Sequence, residues 1–321
     1  MNALPIARLL GFEIRVHVSW ALILAIIAVT VASEVERVSP SMSDPIRWLA
    51  GGLIAAAFLL SALAHELGHA VAERRAGMPG RPVIVYFFGG AATPTLMTRR
   101  ARDEVVAALA GPAVSLVIGV LLLTITAIGE IVGPGAVQVI GRLALIVGVL
   151  NVILGLVNLL PAYPLDGGRL IRGLVWQRTG DPSRGVLVAA RAGRWLGLIL
   201  AGIGLFGIVV VDSVDGLMLA LCGWFLVASA RSVERSAAVN SLLEGIRVAE
   251  VMDHDVPGVP PGLTVDTFAG QLLDGSAPPS VPVLAGLDLL GLIGARQVRR
   301  LRRARWPHTR AADLMVSGDA L

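Results

Sequence analysis

Residues 48–72 read WLAGGLIAAAFLLSALAHELGHAVA. A helix needs about 20 apolar residues to cross the hydrocarbon core of a bilayer, and this stretch is long enough. Its only ionisable side chains are His65, Glu66 and His69. Such groups are costly inside a span and mark a functional site by default. One stretch therefore says both that the chain enters a membrane and that a polar site lies within the crossing.

The rest of the chain agrees. Of 321 residues, 55% are hydrophobic and 16% charged, against about 25% charged in a soluble domain. Further charge-free stretches run from Val16 to Ser33, Val105 to Gly129, Leu143 to Leu165, Trp195 to Val211 and Gly216 to Ala230. The last two are short for a perpendicular helix and call for local bilayer thinning or interfacial anchoring. The first could also serve as a signal peptide, although Val31-Ala32-Ser33 is a poor cleavage site. The reading is an all-α polytopic domain of six transmembrane helices over residues 1–240. A small α+β cytoplasmic domain follows over 241–321.

All 27 Lys-plus-Arg residues are Arg, giving a net charge of +4. They fall in clusters between apolar runs and carry no nucleic-acid-binding motif, so no nucleic-acid partner is expected. One cluster follows the second span (Arg74, Arg75, Arg81, Arg99, Arg100, Arg102), another the fourth (Arg169 to Arg194), and a third starts the tail (Arg231, Arg235). The opposite loops carry Glu34, Glu36, Asp44, Asp212 and Asp215. By the positive-inside rule both termini are cytoplasmic. Residues 83–97 are apolar, too short to cross and rich in Val, Ile, Tyr and Phe before Gly89-Gly90. They read as a short membrane-associated β-hairpin. The single Cys222 permits neither an intramolecular disulfide nor a thiolate metal cage.

His65-Glu66-Leu67-Gly68-His69 is an H-E-x-x-H sequence. On a helix, positions i and i+4 share a face, so both imidazoles can grip one cation, with Glu66 beside its water position. Catalytic zinc usually takes three protein ligands. The best third ligand is Asp166, in NLLPAYPLDGG, residues 158–168. There Pro161 and Pro164 break the fourth helix, and Gly167-Gly168 permits close backbone approach. The Arg pattern brings H-E-x-x-H and Asp166 to similar depth, near the inner face. Gly111-Pro112 is expected to kink or open the third helix, with packing as its role. His17 reads as an interfacial anchor opening the first span, or as a residue of the site's surroundings.

These motifs together resemble the site-2 proteases, the intramembrane zinc metalloproteases of peptidase family M50. The likeness includes Phe88-Gly-Gly-Ala91, Ala110-Gly-Pro-Ala113 and Val16-His-Val-Ser-Trp20, and covers about residues 10 to 235. It implies one Zn2+ per chain held by His65, His69 and Asp166, with Glu66 as general base. It places Asn158 on the substrate carbonyl or oxyanion. It further implies a partner that is itself a transmembrane protein, cleaved within or near its helix. The hairpin at 83–97 would add a strand to the unwound segment.

The tail's order of short strands (248–253, 256–265, 280–284, 289–293) and helices resembles one cystathionine-β-synthase-type (CBS) motif, with a second beginning at Arg310–Met315. Such motifs pair, so a homodimer through this domain is expected. Gly294 and Gln297 stand where the pattern often has ribose- and phosphate-binding residues, which argues against nucleotide binding. Two other readings stay open at this stage. One is a tail-gated transporter or channel with an intramembrane His/Asp ion site. The other is a catalytically silent scaffold.

Overall fold

A computed structural model describes residues 3–38, 40–78, 82–85, 98–133, 136–211, 214–243, 245–247, 250, 252, 257–275, 278–286 and 288–317. The chain divides into two compact units, Met1–Glu244 and Gly245–Leu321.

The first unit opens with a small sheet. Strands β1 (Ala3–Leu9) and β2 (Phe12–His17) pair antiparallel. Leu10 and Gly11 turn between them, both at positive φ. In β2 the sequence FEIRVH alternates, and Phe12 and Ile14 are buried while Glu13 and Arg15 pair at 3.0 Å. This is the period-2 pattern of a half-buried strand. Strand β3 (Val83–Val85) adds to β2 in parallel, in the order β1-β2-β3. The described part of the expected hairpin is thus a strand whose partner is β2. The rest of that hairpin, residues 86–97, lies outside the described residues.

Among the described residues seven helices follow: α1 (Ser19–Val38), α2 (Asp44–Arg75), α3 (Ala101–Val132), α4 (Ala136–Asn158), α5 (Asp166–Thr179), α6 (Pro182–Val211) and α7 (Val214–Leu243). All but α5 are long and apolar enough to cross a membrane. Large apolar side chains such as Leu60, Leu121, Phe206, Val209 and Trp224 point outward on them, as suits a lipid-facing surface. Three expectations need correction. The fifth and sixth spans are not short, because α6 and α7 continue through Arg191 and Arg194, and through Arg231 and Arg235, where a charge-free criterion stops. The fourth helix ends at Asn158, and Asp166 opens the separate helix α5. Helix α3 is continuous through Gly111-Pro112, so it does not open there.

Inside, α3 packs against α2, α4 and α5, and α6 packs against α5 and α7. Ala107, Ala108, Ser115 and Asn151 are buried here; small residues let membrane helices approach. Asn151 Nδ2 donates to Ser61 Oγ at 3.0 Å, tying α4 to α2. Near one end of α2 and α3 lies a buried charge cluster. Arg169 Nη2 meets Glu73 Oε1 at 2.8 Å, and its Nε meets Glu104 Oε1 at 3.2 Å. Arg172 also pairs with Glu104, and Thr98 Oγ1 donates to Glu104 Oε2 at 2.9 Å.

The second unit is a three-stranded antiparallel sheet with helices. Strands β4 (Ser280–Ala285), β5 (Asp288–Gly294) and β6 (Val316–Ser317) are ordered β4-β5-β6. Helices α8 (Val265–Leu273), α9 (Ala295–Arg300) and α10 (Ala311–Leu314) accompany them, with a 3-10 turn at Arg303–His308. Val265, Phe268, Val281, Val283, Ile293 and Ala311 form its core. The strands expected at 280–284 and 289–293 are present. Among the described residues of 256–265 there are two isolated bridges and no strand: Val259 bridges to Val283 and Thr264 to Arg310, and 265 already begins α8 because Thr264 caps that helix. The strand expected at 248–253 lies largely outside the described residues. In the segment from Arg310, Ala311 lies in the core and β6 pairs with β5.

Glu104 is fully buried, so removing its closest partner should be expensive. Arg172→Met is expected to destabilise the protein by about 3 kcal/mol, the lower end for a broken buried pair because Arg169 still faces the carboxylate. Adding Glu104→Gln should recover most of the loss. Unfolding in mixed micelles measures both.

Candidate active site

The three expected ligands converge, although they come from two helices far apart in sequence. His65 and His69 lie one turn apart on α2, and Asp166 is the first residue of α5. Asp166 Oδ2 is 3.2 Å from His65 Nε2 and 3.1 Å from His69 Nε2, and the two Nε2 atoms are 3.2 Å apart. All three residues are buried. A tetrahedral ion with bonds of about 2.0 Å holds its ligand atoms about 3.3 Å apart. The triangle has the edge length that such an ion requires.

The outer nitrogens are also accounted for. His69 Nδ1 donates to the Ala107 carbonyl at 2.7 Å, and His65 Nδ1 shares a hydrogen bond with Ser115 Oγ at 2.8 Å. A proton on Nδ1 leaves the Nε2 lone pair free for a metal, and the bond fixes the ring's orientation. Burial alone would raise the pKa of Asp166, but His69 and then His65 outweigh it and hold the carboxyl below the ordinary range.

Helix α3 supplies no ligand but shapes the site. Ala107, Gly111 and Ser115 recur every fourth residue and so share a face. A Cβ on Gly111 would collide with Nε2 of both His65 and His69. The expected packing role of Gly111 is thus a role in the site: it leaves room for the imidazoles and what they hold. On the other side, a Cβ on Gly167 would strike the carbonyls of Leu159 and Leu160. Its absence lets the first turn of α5 fold back on the loop after α4, delivering Asp166.

Glu66 is half-buried on α2 and within electrostatic range of both imidazoles, Asp166 and Arg169. Asn158, the last residue of α4, donates from Nδ2 to the Leu154 carbonyl at 2.8 Å. No described contact joins it to the ligand triangle. His17 Nδ1 accepts from the Ser19 backbone N–H at 3.2 Å, which ties it to the start of α1. Ser115 is the residue that motif reading missed; a lone hydroxyl one turn from Gly111 in an apolar span was its signal.

Gly111→Ala should abolish stoichiometric metal binding in a folded protein, because the methyl group takes the ligands' space. Ser115→Ala should weaken metal affinity by about 10- to 100-fold, as loss of an outer-shell partner does. Metal titration of the purified protein against a competing chelator distinguishes these outcomes.

The family model of peptidase family M50 matches residues 126–200. Rip3 of Mycobacterium tuberculosis, named as a candidate zinc metalloprotease, is 34% identical over 98% of this chain and 80% of its own. A protein of Synechocystis with the same designation is 31% identical, over 98% and 82%. A zinc metalloprotease of Methanocaldococcus jannaschii is 25% identical, over 91% and 78%. The solved site-2 protease of that archaeon aligns with a TM-score of 0.43 at 24% identity, over 73% of this chain and 95% of that one. Family membership disfavours the transport and scaffold readings. The chain belongs to peptidase family M50 and is a zinc metalloprotease.

Proposed function

We propose that this protein cleaves peptide bonds within or beside the transmembrane helices of other membrane proteins. The observation that carries the reading is the address of the ligand triangle. Both imidazoles project from a helix able to cross a membrane, and their Nδ1 partners belong to a second such helix. A peptide bond reaching these groups has to arrive at membrane depth.

The donor set, two neutral imidazoles and a carboxylate at tetrahedral spacing, fits one zinc ion per chain. When bound, zinc acidifies a water and polarises the scissile carbonyl. Glu66 takes the proton from the attacking water and returns it to the leaving amine. His65, His69 and Asp166 hold their geometry through Ser115, Ala107 and the first turn of α5. Asn158 donates one amide N–H to Leu154; among the described residues its second N–H meets no protein acceptor, and it would meet the substrate carbonyl oxygen. Helical substrates hide their peptide bonds and have to unwind first. Among the described residues β3 pairs with β2 on one side only, which suits addition of an extended substrate strand on the other. The Arg distribution favours cytoplasmic termini, so the site opens towards that side. The second unit is read as a CBS-like regulatory domain from the sequence of its tail, and two chains would pair through it.

Replacing Glu66 by Gln should leave metal content unchanged and lower cleavage by about 100- to 10,000-fold, the usual worth of a general base. Membrane proteomes of cells expressing either form give the readout. Fragments ending inside transmembrane segments should occur only with wild type. Fragments ending in soluble loops, or a full set with the Gln variant, would refute the proposal.

A further inference from the structure

Residues 245–321 contain eight Arg and eight acidic residues, so the second unit is nearly neutral. The charges are nevertheless segregated. Arg296, Arg299, Arg300, Arg302, Arg303 and Arg305 fall within ten residues, and no acid occurs between Asp288 and Asp313.

The fold makes these residues a surface. In α9, Val298 is buried, while Arg296, Arg299 and Arg300 stand at i, i+3 and i+4 on the opposite side. The 3-10 turn continues the basic run, and all six guanidinium-bearing residues are exposed. Among the described residues, none has a carboxylate within 4.0 Å. The base of the patch is rigid, since Trp306 packs against the core and donates to the Leu301 carbonyl at 3.2 Å. Six like charges held together repel one another. An anionic partner relieves that repulsion, and guanidinium groups match phosphate oxygens in bidentate fashion.

We propose that this arginine face binds anionic phospholipid headgroups of the membrane that the chain's own helices cross. Two features favour lipid over nucleic acid. Helix α7, which is able to cross a membrane, ends at Leu243, two residues before the second unit begins. The unit is therefore leashed to a bilayer, which makes headgroup binding effectively intramolecular. Secondly, its only Phe, Tyr or Trp residues are Phe268, buried, and Trp306, partly buried against the core with the Arg303 guanidinium 5.5 Å over its ring, so little aromatic surface is offered for stacked bases. Each basic side chain at an anionic surface is worth roughly fivefold in binding.

The test uses the full chain in nanodiscs, with Cys222→Ala and Ala304→Cys labelled by an environment-sensitive fluorophore. In phosphatidylglycerol-containing discs, emission should shift to the blue and acrylamide quenching should fall severalfold relative to pure phosphatidylcholine. High salt should erase the difference, and so should replacing the six Arg residues by Gln. Equal quenching in the two lipids would overturn the proposal. So would protection that depends on an added oligonucleotide instead of on lipid. The lipid comparison uses one protein throughout, so it stands even if the Gln variant folds poorly. It also reads no cleavage, so its outcome is separate from the proteolytic reading.

Discussion

Two arginines on α5 facing two buried glutamates hold the catalytic half of the molecule in register. Glu73 lies one turn beyond His69 on α2, and Glu104 one turn before Ala108 on α3. Arg169 reaches both, and Arg172 reaches Glu104. Burial works against the charge of Arg169, but Glu104 and then Glu73 outweigh it and raise its pKa above the ordinary value. Apolar packing could not do this job in a bilayer. Lipid tails are as apolar as Leu, so they gain nothing by one helix register over another. A buried ion pair tolerates neither sliding nor rotation, because an unpaired charge would be left behind. Since Asp166 lies one turn before Arg169, fixing α5 against α2 and α3 also fixes the third ligand against the first two.

The same constraint explains why so much of the site lies on a helix without ligands. Once α2 and α3 are close, every side chain between them competes with the imidazoles for space. Helix α3 answers with Ala107, Gly111 and Ser115 at intervals of one turn: a carbonyl for His69, a missing side chain for both rings and a hydroxyl for His65. This face positions both imidazoles of the candidate metal site.

What was legible in the sequence was whatever stood out against an apolar background. H-E-x-x-H and Asp166 were readable because ionisable groups in or beside spans are rare and need a reason. Ser115 and Gly111 were not, because small residues are ordinary in membrane helices and only proximity to the imidazoles gives them a role. Arg172 reads from the sequence only as a topology signal and Glu104 belongs to no motif; burial at a helix end is a tertiary fact. Helix ends were misjudged wherever a helix ran on past its apolar stretch, as in α6 and α7. The sheet was different. Phe12–His17 alternates cleanly and could have been read as a strand, but its last residues overlap the start of an apolar stretch that suggested a helix.

The placement of α3 also restricts how a peptide can approach. On α2, Gly68 faces α3, since a Cβ there would lie 2.9 Å from the Ala110 carbonyl. Glu66 is two residues earlier, roughly 160° around the helix at 100° per residue. The base therefore points away from α3, on the side of the imidazoles that α3 leaves uncovered, and it is only half-buried. Ala107, Gly111 and Ser115 close one flank of the triangle, and α5 closes the flank that carries Asp166. A scissile carbonyl and its attacking water have to share the remaining flank with Glu66. A helical segment cannot present a bare carbonyl there while its own hydrogen bonds are intact. Under the proposed cleavage of membrane helices, this geometry would couple catalysis to local unwinding.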